Sequence, residues 1–161
     1  EDPDDSLFIS IIIQSLVKMG ANGNVYAIGS SSGAALAYRL AANAGTELPI
    51  KGIVTKAMSL LQSPSRSGPG MLNYNQPPSF AGARQLSRKK NGIRMLQKKE
   101  ETLPISVLNI MGENDGLIPY DGGDSDIFKG HTDFSLMSAR VSMTTWSQYN
   151  KCHHKHPEVS E

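Results

Sequence analysis

The run Asn24-Val25-Tyr26-Ala27-Ile28-Gly29-Ser30-Ser31-Ser32-Gly33-Ala34-Ala35-Leu36-Ala37-Tyr38-Arg39-Leu40 reads as a short apolar strand, a tight corner and a helix rich in small side chains. Gly29, Ser31 and Gly33 fit the G-x-S-x-G pattern, which holds a serine at a strained strand-to-helix turn with its hydroxyl above the sheet. The central residue of such a corner is driven toward positive φ, and its neighbours must be small for strand and helix to approach closely. Gly29 and Gly33 are expected to supply that clearance, and Ser31 is the candidate nucleophile. First-turn N–H groups of a helix lack internal partners and carry the positive end of its dipole. The Ser32 N–H is therefore the expected donor to an oxyanion forming beside Ser31. The competing readings are a flexible Gly/Ser turn and a phosphate-cradling loop. A nucleotide-hydrolase loop would carry Gly-Lys-Ser/Thr where this chain has Gly33-Ala34-Ala35.

Upstream of the corner, Leu7, Phe8, Ile11, Ile12, Leu16 and Met19 recur at helical spacing, with Asp4 or Asp5 as cap and Gly20 as stop. The spacing predicts an amphipathic helix with that stripe packed on a sheet. Downstream, the corner helix is expected over 32–43, and Ile50-Lys51-Gly52-Ile53-Val54-Thr55 is a second short apolar strand. Helix, strand, helix, strand is the alternation of an α/β protein with a mostly parallel sheet flanked by helices.

Residues 62–103 break that rhythm. Pro/Gly/Ser-rich stretches and a charged run make them a loop-rich insertion or an active-site cover, with Tyr74 and Phe80 either lining a cleft or packing the loop down. Residues 88–99 are basic, but a solvated helix face fits the near-neutral total charge better than a nucleic-acid patch. A third strand follows over 103–112 and leads into Glu113-Asn114-Asp115-Gly116-Leu117-Ile118-Pro119-Tyr120-Asp121-Gly122-Gly123. An acid just past a parallel strand stands at the carboxyl edge of the sheet, where Ser31 also emerges. Asp115 is thereby placed to orient a histidine, as the third member of a Ser-His-Asp triad does. Glu113, Asp121, Asp124 and Asp126 compete for that role, and acids in a Gly-rich loop also suit calcium, though not at EF-hand spacing. A last helix is expected over 133–149, with Phe134, Met137, Val141, Thr145 and Trp146 on one side.

The chain has 161 residues, enough for one domain, and a net charge of +1, which makes no case for nucleic acid or an anionic membrane surface. No apolar run approaches the roughly 18 residues of a membrane span. One cysteine, Cys152, excludes an internal disulfide and a multi-cysteine metal site; the chain is cytosolic, or the partner of Cys152 lies outside these residues. His131, His153, His154 and His156 are the available imidazoles. The last three form a His-rich tail that could bind a transition metal, but there is no fixed acid partner, and no metal or cofactor is expected.

With the corner, the stretch from Met111 to Gly123 and the Trp146…Asn150-Lys151-Cys152 ending in hand, the chain resembles the α/β-hydrolase esterases. Within them it is similar to the polyhydroxybutyrate depolymerase and feruloyl or acetyl-xylan esterase group. There a strand ends in Gly-x-x-Asp, followed by a hydrophobic-Pro-Tyr and paired glycines, matched here by Asp115, Pro119, Tyr120, Gly122 and Gly123. Asp4-Asp5 before the first helix also matches.

The resemblance covers most of the chain outside 62–103. It implies a partial α/β-hydrolase fold, Ser31 as nucleophile, Asp115 as acid, Ser32 N–H as one oxyanion donor and a polymeric or small carboxylic ester as substrate. It further implies a secreted protein, although no signal peptide is present in these residues. The family's second oxyanion donor precedes the first helix and its histidine follows a later strand, so the resemblance makes this chain a fragment. The histidine and the partner of Cys152 would then lie beyond Glu161. The alternatives are a non-catalytic relative that binds a ligand or partner without turnover, and a peptidase or acyl-transferase on the same fold.

Overall fold

The computed structural model describes residues 5–44, 48–62, 104–128 and 135–152. The strand and helix around Ser31 form as β1 (Val25–Ser30) and α2 (Ser32–Ala42), preceded by α1 (Asp5–Lys18). β2 (Ile50–Lys56) and β3 (Ser106–Ile110) complete a three-stranded sheet of order β1-β2-β3, and both pairings are parallel. The protein is thus mixed α/β, with a parallel sheet flanked by helices. Parallel neighbours cannot be joined by a tight hairpin. α2 is the crossover between β1 and β2, and it packs against both strands.

The register sorts the side chains into two faces. Ala27, Ile53 and Val107 share one cross-strand row and Gly29, Thr55 and Asn109 another, on the side that α2 covers. There Ala34, Ala37, Tyr38, Leu40 and Ala41 of α2 join Ile50 and Ile53 in the core, together with Leu60, Leu61 and Trp146. The alternate rows, Tyr26–Gly52–Ser106 and Ile28–Val54–Leu108, point the other way, and Tyr26 is 68% exposed and Ile28 81%.

The first helix forms where the spacing put it, but its stripe does not pack as expected. Leu7, Phe8, Ile11, Ile12, Leu16 and Met19 are all exposed; Ser10 and Ile13 are the buried positions and Ile9 leans on the core. The segment Leu7-Phe8-Ile9-Ser10-Ile11-Ile12-Ile13 is apolar nearly all round, so periodicity could not choose which side meets the sheet.

The final helix is shorter than the spacing predicts. α3 (Ala139–Tyr149) starts at an N-cap, Ser138, whose hydroxyl accepts from the Val141 N–H at 3.2 Å. Ser135–Leu136 is instead a strand, β5, paired antiparallel with β4 (Gly123–Asp124). Val141 is 51% exposed, and the inward positions are Ala139, Ser142 and Trp146, an i, i+3, i+7 series. Phe134 lies outside the described residues, as do residues 63–103 with Tyr74, Phe80 and the basic run.

α3 is pinned to the sheet by polar contacts. Asn150 accepts from the Ile105 N–H at 3.0 Å and donates its amide to the Ile105 carbonyl at 2.6 Å, while the Ser142 hydroxyl accepts from the Leu60 N–H at 3.0 Å. Trp146 stacks on Tyr38 with centroids 6.2 Å apart. No helix among the described residues is long and apolar enough to cross a membrane.

α3 ends in a tight reversal: the Cys152 N–H donates to the Ser147 carbonyl at 2.9 Å and Lys151 takes φ 55°. A left-handed residue just past a helix favours glycine over any residue with a Cβ. Lys151→Gly is expected to stabilise the fold by about 0.5–1 kcal/mol, read as a higher urea midpoint with an unchanged slope; a lower midpoint would contradict this account of the helix end.

Candidate active site

The corner is built by a near-contact of two backbones. A Cβ placed on Gly29 would lie 2.1 Å from the Gly33 oxygen, 2.3 Å from its carbonyl carbon and 2.6 Å from the Ala34 nitrogen, so no side chain fits at position 29. Gly33 has open space where its Cβ would be. The clearance expected of both glycines therefore comes from Gly29 alone, because the first turn of α2 passes directly over β1 at that residue and turns Gly33 outward.

Ser31 takes φ 52° and ψ −121°, a conformation costing of order 1–3 kcal/mol for a residue with a side chain. Its backbone is held on both sides. The Ser31 N–H donates to the Lys56 carbonyl at 2.9 Å, and its own carbonyl accepts from Ala34 at 2.9 Å and Ala35 at 3.1 Å, which starts the helical ladder. Its hydroxyl makes no capping hydrogen bond, and the residue is exposed. Ser32 is the first residue of α2, so its N–H has no acceptor within the helix and lies at the positive end of the helix dipole.

Asp115 follows β3 by five residues, at the same carboxyl edge. With β2 between them, the axes of β1 and β3 are about 10 Å apart. The Gly112–Asp115 turn closes through the Asp115 N–H on the Gly112 carbonyl at 3.2 Å. Asp115 Oδ1 then accepts from the Leu117 N–H at 2.9 Å and the Ile118 N–H at 3.0 Å. Those backbone donors, Ile118 first and then Leu117, hold the Asp115 carboxyl below its ordinary pKa of 3.8 and outweigh a small opposing effect of burial. Both bonds fall on Oδ1, and among the described residues Oδ2 has no partner.

Three further anchors fix this loop. Ile118 is buried in the core, Ala139 N–H donates to the Tyr120 carbonyl at 2.8 Å, and Gly122, at φ +78°, lies where a Cβ would be 2.5 Å from the Leu136 oxygen. The competing acids Glu113, Asp121, Asp124 and Asp126 are exposed, whereas Asp115 is half-buried. No group of three or more His, Cys, Asp or Glu among the described residues is placed to hold a metal. His131, His153, His154 and His156 lie outside the described residues, and Cys152 is exposed as a free thiol.

Three residues of the region were missed in the sequence: Tyr38, Thr55 and Asn109. Thr55 Oγ1 lies 3.0 Å from the Tyr38 hydroxyl and 3.3 Å from Asn109 Oδ1, beneath the edge. Burial pushes the Tyr38 hydroxyl up to about 12 against a smaller lowering by Thr55. The available signal was a polar residue inside each of two apolar strands, Thr55 in Ile50–Lys56 and Asn109 in Ser106–Ile110.

No family model, no curated protein and no solved structure matches the chain.

Two expectations follow from this geometry. Gly29→Ala forces α2 away from β1 and is expected to cost about 3 kcal/mol, while Gly33→Ala is neutral or stabilising by about 0.5 kcal/mol; urea unfolding of the pair checks the asymmetry, and equal costs would contradict it. Because the folded Asp115 carboxyl titrates below its unfolded value, its contribution to stability is complete above the ordinary carboxylate range. That contribution is lost as pH falls through the folded pKa. The Asp115 side-chain carbon resonance should titrate below pH 3.8 in the folded protein, and Asp115→Ala should speed amide exchange at Leu117 and Ile118; a midpoint at or above 3.8 counts against it.

Proposed function

We propose that this chain carries the nucleophile and acid of a serine-dependent carboxylic ester hydrolase of the α/β-hydrolase type. The observation that carries the reading is Ser31: an exposed, left-handed serine at the junction of a parallel strand and a helix, whose hydroxyl makes no capping hydrogen bond. A serine used only for capping would turn its hydroxyl onto the helix N–H groups. Strain of this kind clusters where geometry serves chemistry.

In the proposed reaction Ser31 Oγ attacks the ester carbonyl carbon and gives its proton to an imidazole, whose second N–H is held by Asp115 Oδ2. The carbonyl electrons move onto oxygen, which accepts from the Ser32 N–H and lies at the positive end of α2. As the carbonyl re-forms, the alcohol C–O bond breaks and the alcohol leaves with the imidazole proton. Water then repeats the sequence on the acyl-Ser31 ester, releasing the acid and restoring the hydroxyl. Asp115 stays ionised throughout, which suits a carboxyl whose pKa is already depressed. Esters of polyester or plant cell-wall type are the substrate class that the resemblance of residues 111–123 brings with it.

Hydrolysis of p-nitrophenyl acetate tests the reading. Ser31→Ala is expected to lower the rate at least about 100-fold, and a fluorophosphonate probe should modify the peptide containing Ser31. Equal rates for the two proteins, or modification elsewhere with Ser31 untouched, would remove the hydrolase reading and leave a ligand-binding relative in its place.

A further inference from the structure

Beneath the carboxyl edge, a polar chain joins α2, which starts just past Ser31, through β2 to β3, the strand that leads to Asp115. Tyr38 lies seven residues after Ser31, on the part of α2 that runs back under the corner. Long side chains on a helix lean toward its N-terminus, which carries the Tyr38 hydroxyl up to Thr55 on β2. Thr55 is paired with Gly29 on one side and Asn109 on the other, in the row immediately below the end of the sheet. One step above that row, Ser31 N–H donates to the Lys56 carbonyl and Ala57 N–H to the Ile110 carbonyl at 3.0 Å.

Each hydroxyl has one hydrogen to give. The arrangement that uses both runs from Tyr38 O–H to Thr55 Oγ1, and from Thr55 O–H to Asn109 Oδ1 at 3.3 Å, with the Leu108 carbonyl at 3.4 Å as a second acceptor. Tyr38 and Thr55 have no solvent exposure, and the Tyr38 ring is stacked on Trp146. Water therefore cannot replace the Tyr38–Thr55 bond, and a slide of α2 along the sheet leaves the buried Tyr38 hydroxyl without its acceptor. Apolar contacts set a distance but tolerate such sliding; this directional chain does not. Ala57, at φ 52°, is a second left-handed residue on the same edge and is held by the same ladder.

We infer that Tyr38, Thr55 and Asn109 are positioning residues, which lock α2, β2 and β3 in register so that the Ser31 corner and the Asp115 loop keep one separation. The geometric part of this inference is independent of the hydrolase reading, and its consequence for catalysis rests on that reading.

Amide exchange and probe labelling, measured on the same set of variants, test it. In Thr55→Val, exchange at Ser31 and Ala57 should rise about ten-fold relative to core amides such as Ile53. Thr55→Ser, which returns the hydroxyl, should restore it within about two-fold. Ile53→Val, a core truncation on the same face, should move all of these amides together. Tyr38→Phe removes one hydroxyl with the ring kept, and should reproduce the pattern if Thr55→Val does not fold.

Unchanged relative exchange in Thr55→Val or Tyr38→Phe, or the same local rise in Ile53→Val, overturns the inference. In the labelling arm, fluorophosphonate modification of Ser31 should slow about ten-fold in Thr55→Val and recover in Thr55→Ser. An unchanged labelling rate overturns the catalytic consequence. An unmodified wild-type Ser31 with the exchange pattern intact removes the hydrolase reading and leaves the positioning role standing.

Discussion

Where the first turn of α2 crosses β1 at Gly29, the two elements meet backbone to backbone. A side chain there would sit inside the Gly33 carbonyl group. Because nothing separates the two elements, the chain must reverse within one residue, and that residue is Ser31. Its left-handed conformation is unfavourable by itself. It persists because the ladder to β2 holds the Ser31 N–H and the helix holds its carbonyl. The small side chains that follow, Ala34, Ala35, Ala37 and Ala41, let α2 remain close to the sheet along its length. The rest of the buried core assembles on that contact: Tyr38 reaches Thr55, Trp146 stacks on Tyr38, and α3 is drawn to the start of β3 through Asn150.

The same logic governs the second half of the candidate site. A carboxylate at the end of a strand is ordinarily mobile, but here two successive N–H groups grip one of its oxygens and the adjacent Ile118 side chain is sunk in the core. Those two donors favour the ionised carboxylate and fix its orientation through Oδ1, with no ion pair among the described residues. Gly122 adds a second near-contact of backbones, against the residues leading into α3. Both halves thus depend on a glycine that admits another chain segment where a methyl group would not fit.

Much of this was legible because it is local. A strand of apolar residues, a corner of Gly and Ser, and a helix of Ala and Leu each follow from backbone sterics and side-chain size, and β1, α2 and β2 form within one or two residues of the expected bounds. The position of Asp115 past β3 was legible for the same reason. What was not legible is set by partners distant in sequence. The side of α1 that faces the sheet could not be chosen from a segment apolar on all sides. The strand Ser135–Leu136 is called up by β4 and by the Leu61 bridge rather than by its own propensity. Gly29 and Gly33 look alike in the motif, and only the path of α2 makes one indispensable and the other open. Tyr38, Thr55 and Asn109 are not legible because a lone hydroxyl or amide in an apolar segment does not announce its partner.

The side of the sheet opposite α2 has a thermodynamic consequence of its own among the described residues. Tyr26, Ile28, Leu108 and Ile110 stand on it at about half exposure or more, and shielding each of them from water is worth roughly 1.5–3 kcal/mol at most. Together that rivals the 5–15 kcal/mol that ordinarily separates a folded domain from its unfolded chain. The folding equilibrium of these residues is consequently linked to the company they keep: any apolar surface resting on that side shifts the balance toward the native state by mass action.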